Sequence, residues 1–185
     1  NAVADVLFGD YSPSGHLPIT FPKNIGQMPP YDDYSMQGRT YKYMREDPAY
    51  PFGFGLTYSK TEFSNIKVNT SQPGQDEALS VTVNVANAGD YDIDEVVQLY
   101  MSPIETTGGL PLHSLKAFKR VALARGEKTT VSFSISPADL HVVNGDGEKT
   151  WRHGDYTVTV GNSSPGELSV RLGAALPQQT TITLK

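Results

Sequence analysis

From about Glu62 onward the chain alternates apolar and polar residues with a period of two, and that alternation restricts it to half-buried β-strands. Leu79, Val81, Val83 and Val85 take turns with Ser80, Thr82 and Asn84. The pattern recurs at Val97, Leu99 and Met101, at Val131, Phe133 and Ile135, at Tyr156, Val158 and Val160, and at Leu168, Val170 and Leu172. Turn-forming clusters punctuate the runs at residues 87–90 (NAGD), 125–126 (RG), 144–147 (NGDG) and 161–166 (GNSSPG). Roughly seven short strands so separated predict two packed antiparallel sheets. The 185 residues include no cysteine, so no disulfide pins those sheets, and thiolate catalysis and zinc–thiolate sites are excluded as well.

The first third of the chain reads differently. Residues 2–8 (AVADVLF) place apolar side chains at helical spacing and stop at Gly9, a residue suited to a left-handed helix cap. Two turns of helix are marginal alone. With no other helical pattern following, the segment is expected to be the last helix of a domain whose remainder lies elsewhere. Leu17 to Phe21 is predicted as a short strand, kept brief or at an edge by Pro18 and Pro22. Residues 23–57 show little periodicity but carry Tyr31, Tyr34, Tyr41, Tyr43, Tyr50, Phe52 and Phe54, with Tyr58 just beyond. Such a segment cannot bury its rings by itself, so it is expected to lie across a neighbouring surface. Gly53 and Gly55 would allow the backbone to bend tightly between the rings.

Composition narrows the class. Apolar residues make up 38% and charged residues 19%, with 17 glycines and 13 prolines, a balance that suits a turn-rich β protein. A net charge of −5 argues against a phosphate backbone, hence against nucleic acid as a partner. No stretch approaches the ~18 consecutive apolar residues of a membrane span. The chain starts at Asn1 without methionine or a signal-like segment, so it is expected to be processed or cut from a longer protein.

Two runs are more particular than turn chemistry requires. Residues 10–22 (DYSPSGHLPITFP) and 50–58 (YPFGFGLTY) closely resemble the stretch that ends the second domain of glycoside hydrolase family 3 enzymes and leads into their fibronectin type III-like domain. Residues 87–90, 94–100 (DEVVQLY), 115–123 (LKAFKRVAL) with Gly126 and Glu127, and Trp151, 153–156 (HGDY) and 160–164 (VGNSS) resemble that second module. The resemblance implies a mainly β fold: a fibronectin type III-like antiparallel β-sandwich over 58–185, preceded over 1–57 by the C-terminal tail of an α/β sandwich domain and an aromatic linker.

Family 3 chemistry, retaining and exo-acting, needs two carboxyl groups about 5–5.5 Å apart. The family's nucleophilic aspartate sits in an N-terminal barrel, commonly in a Ser-Asp-Trp run, whereas the sole tryptophan here, Trp151, follows Thr150. The family's acid/base glutamate lies upstream of the run that begins here at Gly9. The resemblance therefore carries no catalytic residue onto this chain. The dense acidic groups, Asp32 and Asp33, Glu46 and Asp47, Asp92, Asp94 and Glu95, and Asp146 and Glu148, are read as solvated turns. Residues 144–148 hold enough oxygen ligands for Ca²⁺ but lack the length of a calcium loop, so a hairpin turn is preferred. His16, His113, His141 and His153 have no metal-ligand spacing, and neither a metal nor a cofactor is expected. His16 stands where the family usually has a basic residue, and a packing or hydrogen-bonding task is expected of it. Asn69 and Asn162 match glycosylation acceptors, a match read as chance.

One loop keeps functional interest. Residues 31–34 (YDDY) and 38–43 (GRTYKY) resemble a stretch of β-xylosidase-like and related β-glucosidase-like members. Tyr31, Asp33 and Arg39 could line a sugar pocket, or Arg39 could pair with a carboxylate and tie domains together. The resemblance implies the C-terminal portion of a β-glycosidase releasing terminal β-linked sugars, β-xylose ahead of β-glucose, in a secreted or periplasmic protein. Its partners would be the barrel and sandwich domains of the same enzyme and a β-linked oligosaccharide, with neither nucleic acid nor membrane. The rival is a free-standing carbohydrate-binding or adhesive β-sandwich, which would require an exposed aromatic platform and a self-sufficient N-terminal segment.

With no catalytic pair aboard, residues 1–185 on their own should release no nitrophenol from nitrophenyl β-xyloside or β-glucoside. Turnover that disappears when one local carboxylate is changed would refute this.

Overall fold

The computed structural model describes residues 1–106, 109–143 and 147–185. Among the described residues, seven strands form two antiparallel sheets. One has the order β1 (Thr61–Val68), β2 (Leu79–Asn87), β5 (Lys128–Ile135); the other runs β4 (Ser114–Leu123), β3 (Ile93–Pro103), β8 (Gly154–Gly161), β9 (Gln178–Leu184). β6 (Val142–Val143) and β7 (Lys149–Thr150) pair beside them, flanking the proposed calcium-or-hairpin run, most of which lies outside the described residues. The expected mainly β sandwich is therefore the observed architecture.

Period-two alternation fills the space between the sheets. Leu79, Val81, Val83 and Val85 of β2 meet Val97, Leu99 and Met101 of β3 and Val158 and Val160 of β8, all essentially inaccessible to water. In register, Val83 faces Val131 across one sheet and Leu99 faces Val160 across the other. In place of a disulfide, Asn87 locks one end of the sandwich. Its amide donates to the carbonyls of Tyr91, Leu123 and Ala124, and its Oδ1 accepts from Ser59 Oγ and Gly89 N.

Three expectations need correcting. Leu168, Val170 and Leu172 do not form a strand: residues Glu167–Arg171 are a short helix, and Leu172 N donates to Leu168 O. Leu168 and Leu172 are four apart, a spacing that serves either period, and the buried Ser169 hydroxyl bonds back to Ser164 O, which favours the helix. The last strand is instead β9, whose run of threonines hides its alternation but suits a pleated surface. Leu17 to Phe21 is not a strand either; isolated bridges His16–Gly55 and Phe21–Tyr50 flank it, as its prolines allow. Further short helices also follow the first, at Thr40–Tyr43 and Pro137–Leu140.

α1 (Ala2–Phe8) forms where the apolar spacing places it, and Gly9 at φ 85° closes it. Val3, Leu7 and Phe8 are nonetheless more than 70% exposed. No helix among the described residues is long and apolar enough to cross a membrane. The linker after α1 returns to the sandwich. Phe54 is buried, Phe52 stacks on Tyr41 with ring centroids 4.2 Å apart, and Tyr41 meets the buried Tyr100 edge-on at 6.1 Å. Tyr58 is partly exposed, and its hydroxyl donates to Val6 O of α1.

Replacing Phe54 with alanine should remove about 3–5 kcal/mol of stability. Phe118→Ala on the open face of β4 should change it by less than about 0.5 kcal/mol. Chemical denaturation of both variants checks the contrast, and equal losses would mean that the linker is not packed on the sandwich.

Candidate functional site

The chain's most constrained polar cluster lies where the linker crosses β3. Every residue from Val97 to Met101 is buried, so this strand is covered on both faces. The second sheet covers one, and the linker residues Tyr41, Phe52, Gly53 and Phe54 cover the other. A strand sealed on both sides must satisfy each polar group internally.

Glu95 belongs to the alternating row Ile93, Glu95, Val97, Leu99, and it is only 3% exposed. It was read among solvated acids, and burial overturns that reading. Four donors offset the cost of burying its charge. His16 Nε2 lies 3.3 Å from Oε1, Val96 N donates to Oε1, and Thr61 Oγ1 and Asn162 Nδ2 donate to Oε2. The other ring nitrogen of His16, Nδ1, donates to Gly53 O at 2.6 Å. One imidazolium thus joins a linker carbonyl to a sandwich carboxylate, as its two N–H donors permit. The hydrogen-bonding task expected of His16 is the one it performs.

Gln98 completes the junction. Its amide donates to Gly53 O at 2.9 Å and Asn162 O at 3.1 Å, while its Oε1 accepts from the Tyr100 hydroxyl. Gly53 sits at φ 75°, and a Cβ there would overlap Gln98 Oε1. Only glycine fits. Asn162, in one of the two apparent glycosylation acceptors, is 7% exposed with both ends of its amide engaged, so no glycan fits it in this fold.

Burial pulls the His16 pKa down, but the Glu95 hydrogen bond, the Gly53 carbonyl and the Glu95 charge outweigh it and hold the value above that of an ordinary histidine. Burial likewise pushes Glu95 up, yet His16, Thr61 and Asn162 bring it below the ordinary carboxylate value. Nearer the surface, Arg120 donates to Asp94 at 2.6 Å, and the Tyr11 hydroxyl donates to the same oxygen at 2.9 Å, a further tie between the segment before the sandwich and β3.

The sequence-selected trio lies apart from this junction. Arg39 donates to the backbone carbonyls of Pro30, Asp33 and Ser35, closing the loop on itself, and among the described residues no carboxylate accepts from it. Asp33 Oδ1 accepts from Ser35 N, and that bond and the Arg39 charge keep its pKa low. Tyr31 and Tyr34 are about nine-tenths exposed or more, so the closed loop presents rings outward. Among the described residues of 58–185 the exposed large aromatic side chains are Tyr58, Tyr91, in the turn before β3, and Phe118, on β4. Tyr58 and Tyr91 meet with ring centroids 5.8 Å apart but tilted at 55°, a pair rather than the flat platform that a free-standing binding module would use.

Glu95, Gln98 and Asn162 escaped selection on sequence. A signal exists for the first: a carboxylate occupying an apolar position of an alternating strand needs a buried partner. Nothing in the sequence points Gln98 or Asn162 at Gly53.

Residues 1–58 match the model of the Glycosyl hydrolase family 3 C-terminal domain, and residues 95–164 that of the Fibronectin type III-like domain. A putative beta-xylosidase of Formosa agariphila is 40% identical over 88% of this chain, which spans 22% of that protein. A periplasmic beta-glucosidase of Salmonella typhimurium is 35% identical over 89% of the chain and 23% of its own length. The solved structure of a β-glucosidase from Erythrobacter marinus superimposes over the whole chain at TM-score 0.79 with 33% identity, and the chain covers 23% of it. The chain therefore spans about a quarter or less of these relatives.

The signs of the two shifts set a pH window. Stability from the raised His16 value is complete below about pH 6.5 and is lost as pH rises through its folded pKa. Stability from the lowered Glu95 value is complete above about pH 4.3 and is lost as pH falls through its folded pKa. The thermal midpoint should therefore peak between those limits, and Glu95→Gln should flatten the profile while lowering its maximum. A profile unchanged by that substitution would deny the pair its role.

Proposed function

We propose that this chain, which belongs to glycosyl hydrolase family 3 and carries its fibronectin type III-like domain, is the C-terminal portion of a retaining, exo-acting β-glycosidase. Terminal β-xylose is the favoured substrate, ahead of β-glucose, and the complete protein works outside the cytoplasm, secreted or periplasmic. The dividing line between the hydrolase-domain tail with its linker and the sandwich is placed between residues 57 and 58. The tail docks onto the remainder of its own domain, and through that domain onto the barrel that supplies the chemistry.

One observation carries this reading. Most of the exposed large apolar side chains lie within the first 58 residues, Val3, Leu7, Phe8, Ile19, Phe21 and Ile25 among them, while the sandwich is closed around its core. An apolar face held by a buried charge junction to a finished module is a docking face. The xylose preference is supported by the relatives named as β-xylosidases and by residues 38–43. Proton NMR of the complete protein with nitrophenyl β-xyloside tests the activity: retention releases the β-anomer of xylose first. The α-anomer first, or turnover of the glucoside well ahead of the xyloside, would overturn those parts of the reading.

The closed loop at 31–39 is placed at the rim of the sugar site, with Tyr31 offering a ring face and Asp33 and Arg39 holding the loop in shape. Tyr31→Ala in the complete enzyme should raise KM several-fold without moving the thermal midpoint. Arg39→Ala, which frees three loop carbonyls, should lower the midpoint and leave KM within about twofold, since a typical lost hydrogen bond costs about 1 kcal/mol. Unaltered kinetics for Tyr31→Ala would remove the loop from the rim.

A further inference from the structure

A cavity lies between the linker and the sandwich, apart from the His16–Glu95 contact. It measures about 310 Å³, at the lower end of the range for small-molecule sites. Thr20, Tyr41, Arg45, Phe52, His113 and Ser164 line it, and the exposed Arg45, Glu46 and Asp47 mark its solvent side.

Two of its polar atoms are unspent. The Thr20 hydroxyl is the one buried side-chain polar atom among the described residues that lacks a hydrogen-bond partner, in a fold where Gln98, Asn162 and Asn87 are all satisfied. His113 engages Ser102 through Nδ1 at 2.8 Å, which leaves Nε2 for the cavity, and burial holds its pKa below the ordinary value, so the ring is neutral near pH 7. The stacked Tyr41–Phe52 pair gives the same cavity an aromatic wall.

Charge selects against an anion. Asp47 is paired with Arg171 at 2.7 Å, and Glu46 accepts from Gln27, so both carboxylates at the opening are engaged and share it with the Arg45 guanidinium and a neutral imidazole. A neutral ligand with several hydroxyls and an apolar ring face answers to an aromatic wall, an unpaired hydroxyl and balanced charge.

We infer that this cavity binds one sugar unit of a neutral oligosaccharide, stacked on the Tyr41–Phe52 pair and hydrogen-bonded to Arg45 and His113, with the sealed Thr20 hydroxyl turning toward it on binding. The identification of the polyol as a β-linked pentose or hexose rests on the glycosidase reading; the site itself rests on the cavity. Held at the sandwich rather than among catalytic carboxylates, it retains a chain of the substrate and does not cleave it.

Hydrogen-exchange mass spectrometry on the complete protein, with thio-linked xylobiose as a probe that resists hydrolysis, tests the inference. The probe should slow exchange in peptides spanning 41–52 and 162–171. Arg45→Ala, a surface change with no folding risk, and Thr20→Val should each weaken that protection about tenfold in apparent Kd, as expected for a lost polar contact, with the rate on nitrophenyl β-xyloside unchanged. No protection in either segment, protection that survives both variants, or equal protection by inorganic phosphate would overturn the inference. Protection without any hydrolysis of nitrophenyl glycosides would uphold the sugar site while refuting the glycosidase reading.

Discussion

The buried contact between His16 and Glu95 is the constraint on which the arrangement of this chain depends. A carboxylate sits in a row of core side chains, and its charge is tolerable only because a cation and three further donors surround it. The cation belongs to the linker, whose position is thereby tied to the sandwich. Loss of either partner leaves an uncompensated charge or an empty donor inside the fold, a larger penalty than the net worth of the pair itself. The position of the linker is for this reason coupled energetically to the sandwich.

The covering of β3 follows from the same junction. Because Gly53 O accepts from both His16 and Gln98, the linker backbone approaches the strand more closely than any side chain at position 53 would permit. That approach seats Phe54 and presses Phe52 and Tyr41 over Tyr100. Burial of the Tyr100 hydroxyl raises its pKa, and its proton is satisfied by Gln98, which closes the network. Before the linker, Val3, Leu7 and Phe8 of α1 stay uncovered. Rigidity toward the sandwich combined with an open apolar face is what a docking segment requires.

Much of this was legible in advance because alternation and helix capping are local. The strands at 79–85, 97–101, 131–135 and 156–160 need only a period of two to declare themselves, and α1 with its Gly9 cap needs only seven residues and a stop. The helix at Glu167–Arg171 was missed because five residues cannot distinguish one period from the other, and β9 because threonine serves a strand without marking its buried face. The trio Tyr31, Asp33 and Arg39 was chosen by residue type, but residue type does not reveal that Arg39 spends its donors on its own loop.

The sequence by itself determined that the chain builds a cysteine-free β-sandwich, that a short capped helix and an aromatic linker precede it, and that its one tryptophan follows a threonine rather than an aspartate. Those properties depend on composition, on local periodicity and on runs read in order. Only the tertiary structure decided that Glu95 is buried, that His16 is its partner, and that Gln98 and Asn162 complete the junction rather than facing water. The reason is physical: these partners are separated by scores of residues along the chain. A polar group's fate depends on whether docking removes water from it and supplies a donor or acceptor in exchange, and that outcome exists only once the linker has closed over β3.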